Sequence, residues 1–445
     1  MKKELLMENS DILENLQKEL HLELTTNILP YWEKLYDPHY GGYYGRVTGK
    51  EELIPEAPKG AVLQSRILWT YSAAARILKD KRYLVPAARA RDFVLDKLLD
   101  KEYGGVYWST DHKGEPLDTR KQFYALGFAI YGLSEYHRAT GDPRALDSAI
   151  GLFRDIETHS YDKIYGGYLE AASRDWSEIR DFRLSEKDAN EKKTMNTHLH
   201  ILEPYTNLFR VWKDPGLEVA LAGLIRLFLD KIIDPSTHHL SLFFDEEYHV
   251  RGSAISYGHD IEASWLLMEA AKELADYKPG VYGEILSRVT DQSRDVAFAA
   301  LKGLQTDGSM IYEITSGGRI DKTRHWWVQA ETVVGLFYLY HWHKVPHALS
   351  LAVNCWNYIK ENIRDREHGE WFWSPGNTTD DKAGFWKCPY HNSRMCLQVI
   401  DHMHQLPLYL IHISEPTRLL STSYAVFCLK KKNKIKKEII FITVS

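Results

Sequence analysis

Cysteine is scarce in this chain of 445 residues: Cys355, Cys388, Cys396 and Cys428 are the four, and no two of them form a CxxC pair. They suggest neither a disulfide framework nor a zinc cluster, and are expected to be reduced thiols. Long apolar runs are missing as well. The start, Met1-Lys2-Lys3-Glu4, leads into a mixed pattern with no stretch long enough for a signal peptide or a membrane span, which predicts a cytoplasmic protein without a membrane partner. Nor is there a basic surplus in the body of the chain. The net charge is −5, and seven basic against two acidic residues from Ser414 onward leave −10 for everything before them. Such a body lacks the electrostatic footprint of a nucleic-acid binder.

Aromatic and imidazole side chains, by contrast, are plentiful: 13 Trp, 27 Tyr and 20 His stand against an ordinary 44% hydrophobic and 26% charged composition. This surplus suits a carbohydrate site, although a large core also consumes it. The length allows two or three domains, or one repetitive barrel that absorbs all of it.

A Gly-aromatic turn recurs along the chain. It reads Asp37-Pro-His-Tyr-Gly-Gly-Tyr-Tyr, Tyr103-Gly-Gly-Val-Tyr-Trp and Tyr165-Gly-Gly-Tyr-Leu, with weaker versions at His238-His-Leu-Ser-Leu-Phe-Phe, Asp307-Gly-Ser-Met-Ile-Tyr and His368-Gly-Glu-Trp-Phe-Trp. Successive copies lie roughly 60 to 70 residues apart, room for two helices and a connection. Between them apolar residues keep helical spacing, as in Leu63, Ile67, Leu68, Tyr71, Ala74, Ala75 and Leu78. The pattern predicts about twelve helices, near 11–34, 58–80, 82–99, 119–140, 142–158, 194–213, 215–232, 257–276, 280–304, 325–343, 346–363 and 390–410. Short joints such as Thr140-Gly-Asp-Pro and Lys213-Asp-Pro-Gly fall on one side, the long Gly-aromatic loops on the other. Six helical hairpins, each with an apolar face, satisfy one another by closing into an all-α (α/α)6 barrel with short β-hairpin-like loops on one face; an open solenoid of helix pairs is the alternative. The barrel is expected to occupy residues 1–412 as a single catalytic domain. Residues 413–445 follow neither the repeat nor the helical period and read as a non-native or disordered fusion, or else as a genuine basic tail.

The helices entered from the long loops all carry polar or aromatic residues near their first turns: Arg66; Tyr124; Asn196 and His200; His259 and Glu262; Trp326 and Trp327 with Gln329 and Glu331; and His391 with Arg394. If these are the six inner helices, their starts converge on one mouth, a concave aromatic pocket with a few polar groups. His259 and Glu262 lie three apart on one helical face, so the carboxylate can hold the imidazole in one tautomer; the alternative is a helix start with a buried, satisfied histidine. Asn196 and His200 face one way, and His198 points elsewhere, which weakens a metal-binding HxH reading. Pro389 suits a first helical turn just before His391, and Trp386 is placed to stack on a sugar ring. Histidine at a helix start feels the positive end of the dipole, which favours a neutral imidazole and a usable base. The adjacent Trp326 and Trp327 suit core as well as site, and only one of the two is expected to face inward.

Four segments together carry a resemblance: Thr194-Met-Asn-Thr-His-Leu-His-Ile-Leu-Glu-Pro-Tyr-Thr-Asn, Tyr257-Gly-His-Asp-Ile-Glu-Ala-Ser-Trp, His325-Trp-Trp-Val-Gln-Ala-Glu and Lys387-Cys-Pro-Tyr-His-Asn-Ser-Arg-Met-Cys, with Gln64-Ser-Arg66-Ile-Leu-Trp beside them. They resemble the cellobiose 2-epimerases of the N-acylglucosamine 2-epimerase superfamily, over roughly residues 10 to 411. The resemblance implies the same helical barrel, no cofactor and no metal. It implies that His259 and His391 are the acid/base pair and that His200, Arg66 and Asn196 contact the reducing-end sugar. By the same resemblance Glu262 supports His259, Trp326 or Trp327 packs on the reducing-end ring, Trp386 stacks on the second glucose, and Ser185 and Asp188 hydrogen-bond the distal sugar. The only departure is the segment after His412.

The chemistry implied is C2 inversion of an opened aldose, one histidine removing the proton and the other delivering one to the opposite face, with Arg66 and His200 stabilising the enediolate. Return of the proton at C1 would give a ketose, so a monosaccharide 2-epimerase or an aldose-ketose isomerase is the near alternative. A glycoside hydrolase needs two carboxylates across the scissile bond, for which Asp188, Glu262 and Glu331 are available. A non-catalytic sugar-binding protein is a third reading. The expected partner is a small disaccharide, and the expected state a monomer or weak homodimer.

Overall fold

Apolar spacing and the Gly-aromatic turns divide the chain as expected, and the computed structural model, which describes residues 2–405, shows twelve helices among them. The first, α1, runs Lys2–Glu23 and continues through a π-helical turn, Leu24–Ile28, into Leu29–Glu33; it begins well before the expected residue 11. Then come α2 (Ala61–Ile77), α3 (Leu84–Phe93, prolonged by the π turn Val94–Leu98), α4 (Phe123–Thr140) and α5 (Pro143–His159). They are followed by α6 (Met195–Val211), α7 (Pro215–Leu227 and the π turn Phe228–Ile232), α8 (Tyr257–Tyr277) and α9 (Pro279–Ala300). The last three are α10 (Trp326–His341), α11 (Ala348–Tyr358 and the π turn Ile359–Ile363) and α12 (Tyr390–Gln405). The tail expected from residue 413, and the end of the last predicted helix, lie outside the described residues.

Contacts between the even-numbered helices run α2, α4, α6, α8, α10, α12 and back to α2, so the ring closes and an open solenoid is ruled out. Each inner helix also packs on an outer one, and α12 pairs with α1, joining the two ends of the barrel. Short joints start cleanly because Asp142 and Asp214 cap helices with proline in the first turn; Asp142 Oδ1 accepts from Arg144 N and Asp214 Oδ1 from Gly216 N and Leu217 N. Among the described residues no helix is long and apolar enough to cross a membrane.

Every Gly-aromatic turn is closed by one antiparallel bridge: Tyr36 with Tyr43, Leu99 with Val106, Tyr161 with Tyr168, Ile233 with Leu240, Leu304 with Met310 and Arg364 with Trp371. In the first three the Gly-Gly pair adopts positive φ, between 65° and 82°, which a side chain would strain. Each of these turns is also clipped from beneath. Asp37, Asp100 and Asp162 each accept two backbone N–H bonds of their own turn. Their other oxygens take Lys59, Lys121 and Lys193 at 2.7–2.8 Å, and each ammonium also donates to the carbonyl of Gly41, Gly104 or Gly166. These lysines stand two residues before α2, α4 and α6, on two-residue strands, so each clip joins a turn to the start of an inner helix. The strands pair in turn with the next loop, Lys59 with Thr110, Lys121 with Ala172 and Lys193 with Phe244. For this reason α4 starts at Phe123 and not at 119: residues 121–122 are held extended by Ala171–Ala172.

The fourth residue of several inner helices then ties down the turn. Gln64 bonds both N and O of Tyr43, Gln329 both N and O of Met310, His198 Nε2 accepts from Tyr168 N, and Asp260 Oδ1 from Leu240 N. His198 and Gln329 are thereby structural, and His198 faces away from the barrel interior as its spacing predicted.

The Lys59–Asp37 pair is fully buried, and removing one partner strands a charge. Lys59→Met is expected to lower stability by about 3 kcal/mol, read as a lower midpoint in urea unfolding; a midpoint unchanged from the parent would show the clip to be dispensable.

Candidate active site

All six inner helices start at the loop side, so their first turns face one another across the barrel axis. They surround a cavity of about 480 Å³ lined by Arg66, Tyr124, Asn196, His200, His259, Glu262, Trp326, Trp327, Trp386 and His391, with Ser185 and Asp188 reaching in from the loop before α6. Thus the residues singled out from the sequence meet in one place. A wider groove of about 930 Å³ shares Asp188, Asn196 and His259 with it. Both Trp326 and Trp327 line the cavity, against the expectation that only one would face inward: in the first turn of α10 an indole is large enough to reach the cavity from either position.

His259 and His391 pack against the same indole, with ring centroids 4.9 and 5.6 Å from that of Trp327. Burial, then His200, holds His259 down to about 3. Burial, then Arg66 and Arg394, holds His391 well below the ordinary imidazole value. Both rings are therefore neutral at pH 7 and carry lone pairs.

Their partners differ from the expected ones. His391 Nδ1 meets Glu331 Oε1 at 2.7 Å, which fixes its hydrogen on Nδ1 because a carboxylate only accepts. His259 Nδ1 meets Ser256 Oγ at 2.7 Å, and Glu262, three residues on, does not hold it. Glu262 turns to Arg394 instead. A dry interior favours a carboxylate on a guanidinium over one on a neutral imidazole. The three-residue spacing works as anticipated for another pair, His200 Nδ1 with Glu203 Oε2 at 3.2 Å.

Arg394 is fully buried on α12 and bonds Glu203 from α6, Glu262 from α8, Glu331 from α10 and the Tyr390 hydroxyl. Burial raises Glu203, but Arg394 and His200 carry it down to about 2; burial and then Glu331 push Glu262 up to about 7. Glu262, Glu331 and His391 bring ligand-type atoms close enough for a metal ion, yet Arg394 Nη2 already bridges the two carboxylates.

Arg66 is the opposite case. It is 3% exposed, rests on the faces of Phe128 and Tyr390 at 4.1 and 4.5 Å, and donates to Tyr124 Oη at 2.9 Å and to Cys388 Sγ. No carboxylate is paired with it among the described residues, so a buried positive charge is left facing the cavity. Arg66 Nε, Asn196 Oδ1, Glu262 Oε2 and Trp326 Nε1 are buried without a protein partner, a concentration of unmet polar atoms that fits a polar ligand.

Toward the rim, Trp386 packs with Trp108, Phe385 and Tyr124. Ser185 N and Oγ both donate to Asp188 Oδ2 at 2.9 Å, which shapes that loop. Sequence reasoning missed Tyr312, His325 and Trp373, which line the same cavity, the His325 and Tyr312 rings meeting at a tilt with centroids 4.1 Å apart. Tyr312 and Trp373 end the fifth and sixth Gly-aromatic turns, so the repeat itself was the clue to them.

The model of the N-acylglucosamine 2-epimerase (GlcNAc 2-epimerase) family matches residues 42–391. The chain is 57% identical over 394 residues to a cellobiose 2-epimerase of Bacteroides fragilis, covering 87% of this chain and 99% of that one. It is 39% identical over 393 residues to a cellobiose 2-epimerase of Dictyoglomus turgidum, with the same coverage of each. A solved structure of cellobiose 2-epimerase from Bacillus thermoamylovorans B4167 superposes with a TM-score of 0.83 at 41% identity, covering 87% of this chain and all of that one.

The two buried arginines predict opposite stability effects. Arg394→Met removes the countercharge of three carboxylates and is expected to cost about 3–5 kcal/mol. Arg66→Met removes a charge with no carboxylate partner, so its unfolding temperature is expected to stay level or rise; thermal unfolding of both variants decides it, and a large loss in Arg66→Met would contradict the charge assignment.

Proposed function

The chain belongs to the N-acylglucosamine 2-epimerase family, and on that premise we propose that it is a cofactor-independent cellobiose 2-epimerase, converting the reducing-end glucose of cellobiose or a related β-1,4-disaccharide such as lactose to mannose. The observation that carries this reading is two neutral imidazoles on one indole beside a buried guanidinium with no carboxylate partner. The C2 hydrogen of an aldose is acidic only when the ring is open and C1 is a carbonyl, so the reaction begins with ring opening. One of His259 and His391 then takes the C2 proton, leaving a cis-enediolate, and the other, having drawn a proton from solvent, gives it to the opposite face; the first passes its proton back to solvent, the C2 configuration inverts and no redox step is needed. Arg66, with His200, stabilises the negative oxygens of the enediolate, a charge for which it has no competing partner. Glu331 steadies His391 once protonated. Glu262 acts through Arg394 in this reading. Asn196, Tyr124, Trp326 and Trp327 bind the reducing-end sugar, while Ser185, Asp188 and Trp386 bind the distal one. The enzyme works as a cytoplasmic monomer or weak homodimer, its barrel domain acting without residues 413–445.

A hydrolase is disfavoured because, of the three carboxylates the sequence offers for it, Glu262 and Glu331 are committed to Arg394, which leaves Asp188 without either as its partner across a glycosidic bond. The decisive experiment is proton NMR of the enzyme with cellobiose in deuterated water. A mannose-type anomeric signal with deuterium at C2 is expected, along with a slow ketose by-product; ketose alone makes the enzyme an isomerase, and free glucose a hydrolase.

His259→Ala and His391→Ala are each expected to lower kcat/KM by about 10²–10⁴. Trp386→Ala should raise KM for cellobiose roughly tenfold while glucose turnover changes little, which a side-by-side assay checks.

The pH dependence follows from the depressed histidines. A base works only when deprotonated, and both rings lose their protons below the ordinary imidazole value of 6.5. The acid limb of kcat/KM should therefore fall below about pH 6; a limb centred at 6.5 would mean that these rings titrate like exposed histidines.

A further inference from the structure

Of the four histidines lining the cavity, three are held at Nδ1 by a side chain, and not all by the same kind. His391 is held by Glu331 and His200 by Glu203, both carboxylates; His259 is held by the Ser256 hydroxyl at 2.7 Å. Ser256 is the N-cap of α8, with extended backbone (φ −109°, ψ 100°), a position where serine ordinarily accepts from a backbone N–H of the first turn. Here it makes no such bond. Its hydroxyl is diverted to a side chain three residues on, and the residue is 3% exposed, so bulk water does not compete for it. The carboxylate that helical spacing offers to His259, Glu262, is held by Arg394.

We infer that Ser256 is a positioning residue for the epimerisation proposed above, on which this inference rests: its hydroxyl holds His259 by Nδ1 and leaves Nε2 for the sugar. No other side chain bonds His259 Nδ1 among the described residues. With Nδ1–H donated to Oγ, the lone pair lies on Nε2, where a substrate proton is received. Once Nε2 is protonated, the neutral hydroxyl stabilises the imidazolium less than Glu331 stabilises that of His391. Arg66 and Arg394, which face His391, oppose that gain, so the two rings are set apart by the kind of partner each has at Nδ1.

The test combines kinetics with a spectroscopic readout. In Ser256→Ala, kcat for cellobiose epimerisation is expected to drop about tenfold to a hundredfold, the range for a partner that orients a working side chain, with KM within about twofold. Ser256→Thr, which keeps the hydroxyl, should recover most of the rate. On the free, histidine-labelled enzyme, nitrogen-15 NMR should report a single Nδ1–H tautomer for His259 in the parent and in Ser256→Thr, and a tautomer mixture in Ser256→Ala. Since Ser256 caps no backbone N–H, the Ala variant should unfold near the parent temperature; if it does not fold, Ser256→Cys replaces it, with the same expectations. A parental kcat in the variant lacking the hydroxyl, or a lowered kcat with an unchanged His259 tautomer, would overturn the inference. If the parent itself fails to epimerise cellobiose, the functional reading falls, and the NMR comparison still judges the hold of Ser256 on His259.

Discussion

A single guanidinium organises the centre of this barrel. Arg394 reaches Glu203, Glu262 and Glu331, one from each of three other inner helices, so four of the six inner helices are joined through one positive charge. Three carboxylates cannot be buried together without it, and the histidines above depend on what it leaves free. Glu331 serves Arg394 and His391 together, and Glu203 serves Arg394 and His200. Glu262 is spent on the guanidinium, and His259 falls to a serine. The catalytic asymmetry at the mouth thus follows from charge balance one layer below it.

Beneath Arg394 the axis is filled by aromatic rings and then by ion pairs. Arg394 lies over Trp265 and Tyr390, Trp265 stacks on Tyr338, and Trp69 stacks on Tyr131. Beyond them Arg76 and Arg138 pair with Glu135, and Arg210 with Glu269 and Glu273. These rings separate a pocket of about 200 Å³ among the ion pairs from the cavity at the loop end. At that end the loops are long but anchored, because the Lys–Asp clips and the fourth residues of inner helices tie five of the six turns to the start of an inner helix. Such anchoring lets residues from six distant stretches of chain meet with the accuracy that proton transfer to one carbon needs.

Unmet polarity is concentrated at the same mouth. A buried arginine with no anion, an amide oxygen, an indole N–H and a carboxylate oxygen without partners all raise the energy of the empty site. A hydroxyl-rich ligand whose reaction develops negative oxygen satisfies them together. Stability is given up there, and the clipped loops and closed ring supply it elsewhere.

Much of this was legible in the sequence. The Gly-aromatic period and the helical spacing marked out about twelve helices in six hairpins, because an apolar stripe must be buried wherever it occurs; closure into a ring instead of an open solenoid was decided by the contact of α12 with α2. Polar residues at inner-helix starts located the cavity, since in a closed ring those starts can only converge. Partner choice was not legible. Spacing offered Glu262 to His259, but Arg394, 132 residues away, bonds it more strongly in a dry interior. Likewise His391 found Glu331 across the barrel. Helical periodicity reports which residues share a face, whereas competition among buried charges depends on which faces are brought together, and only the tertiary structure decides that.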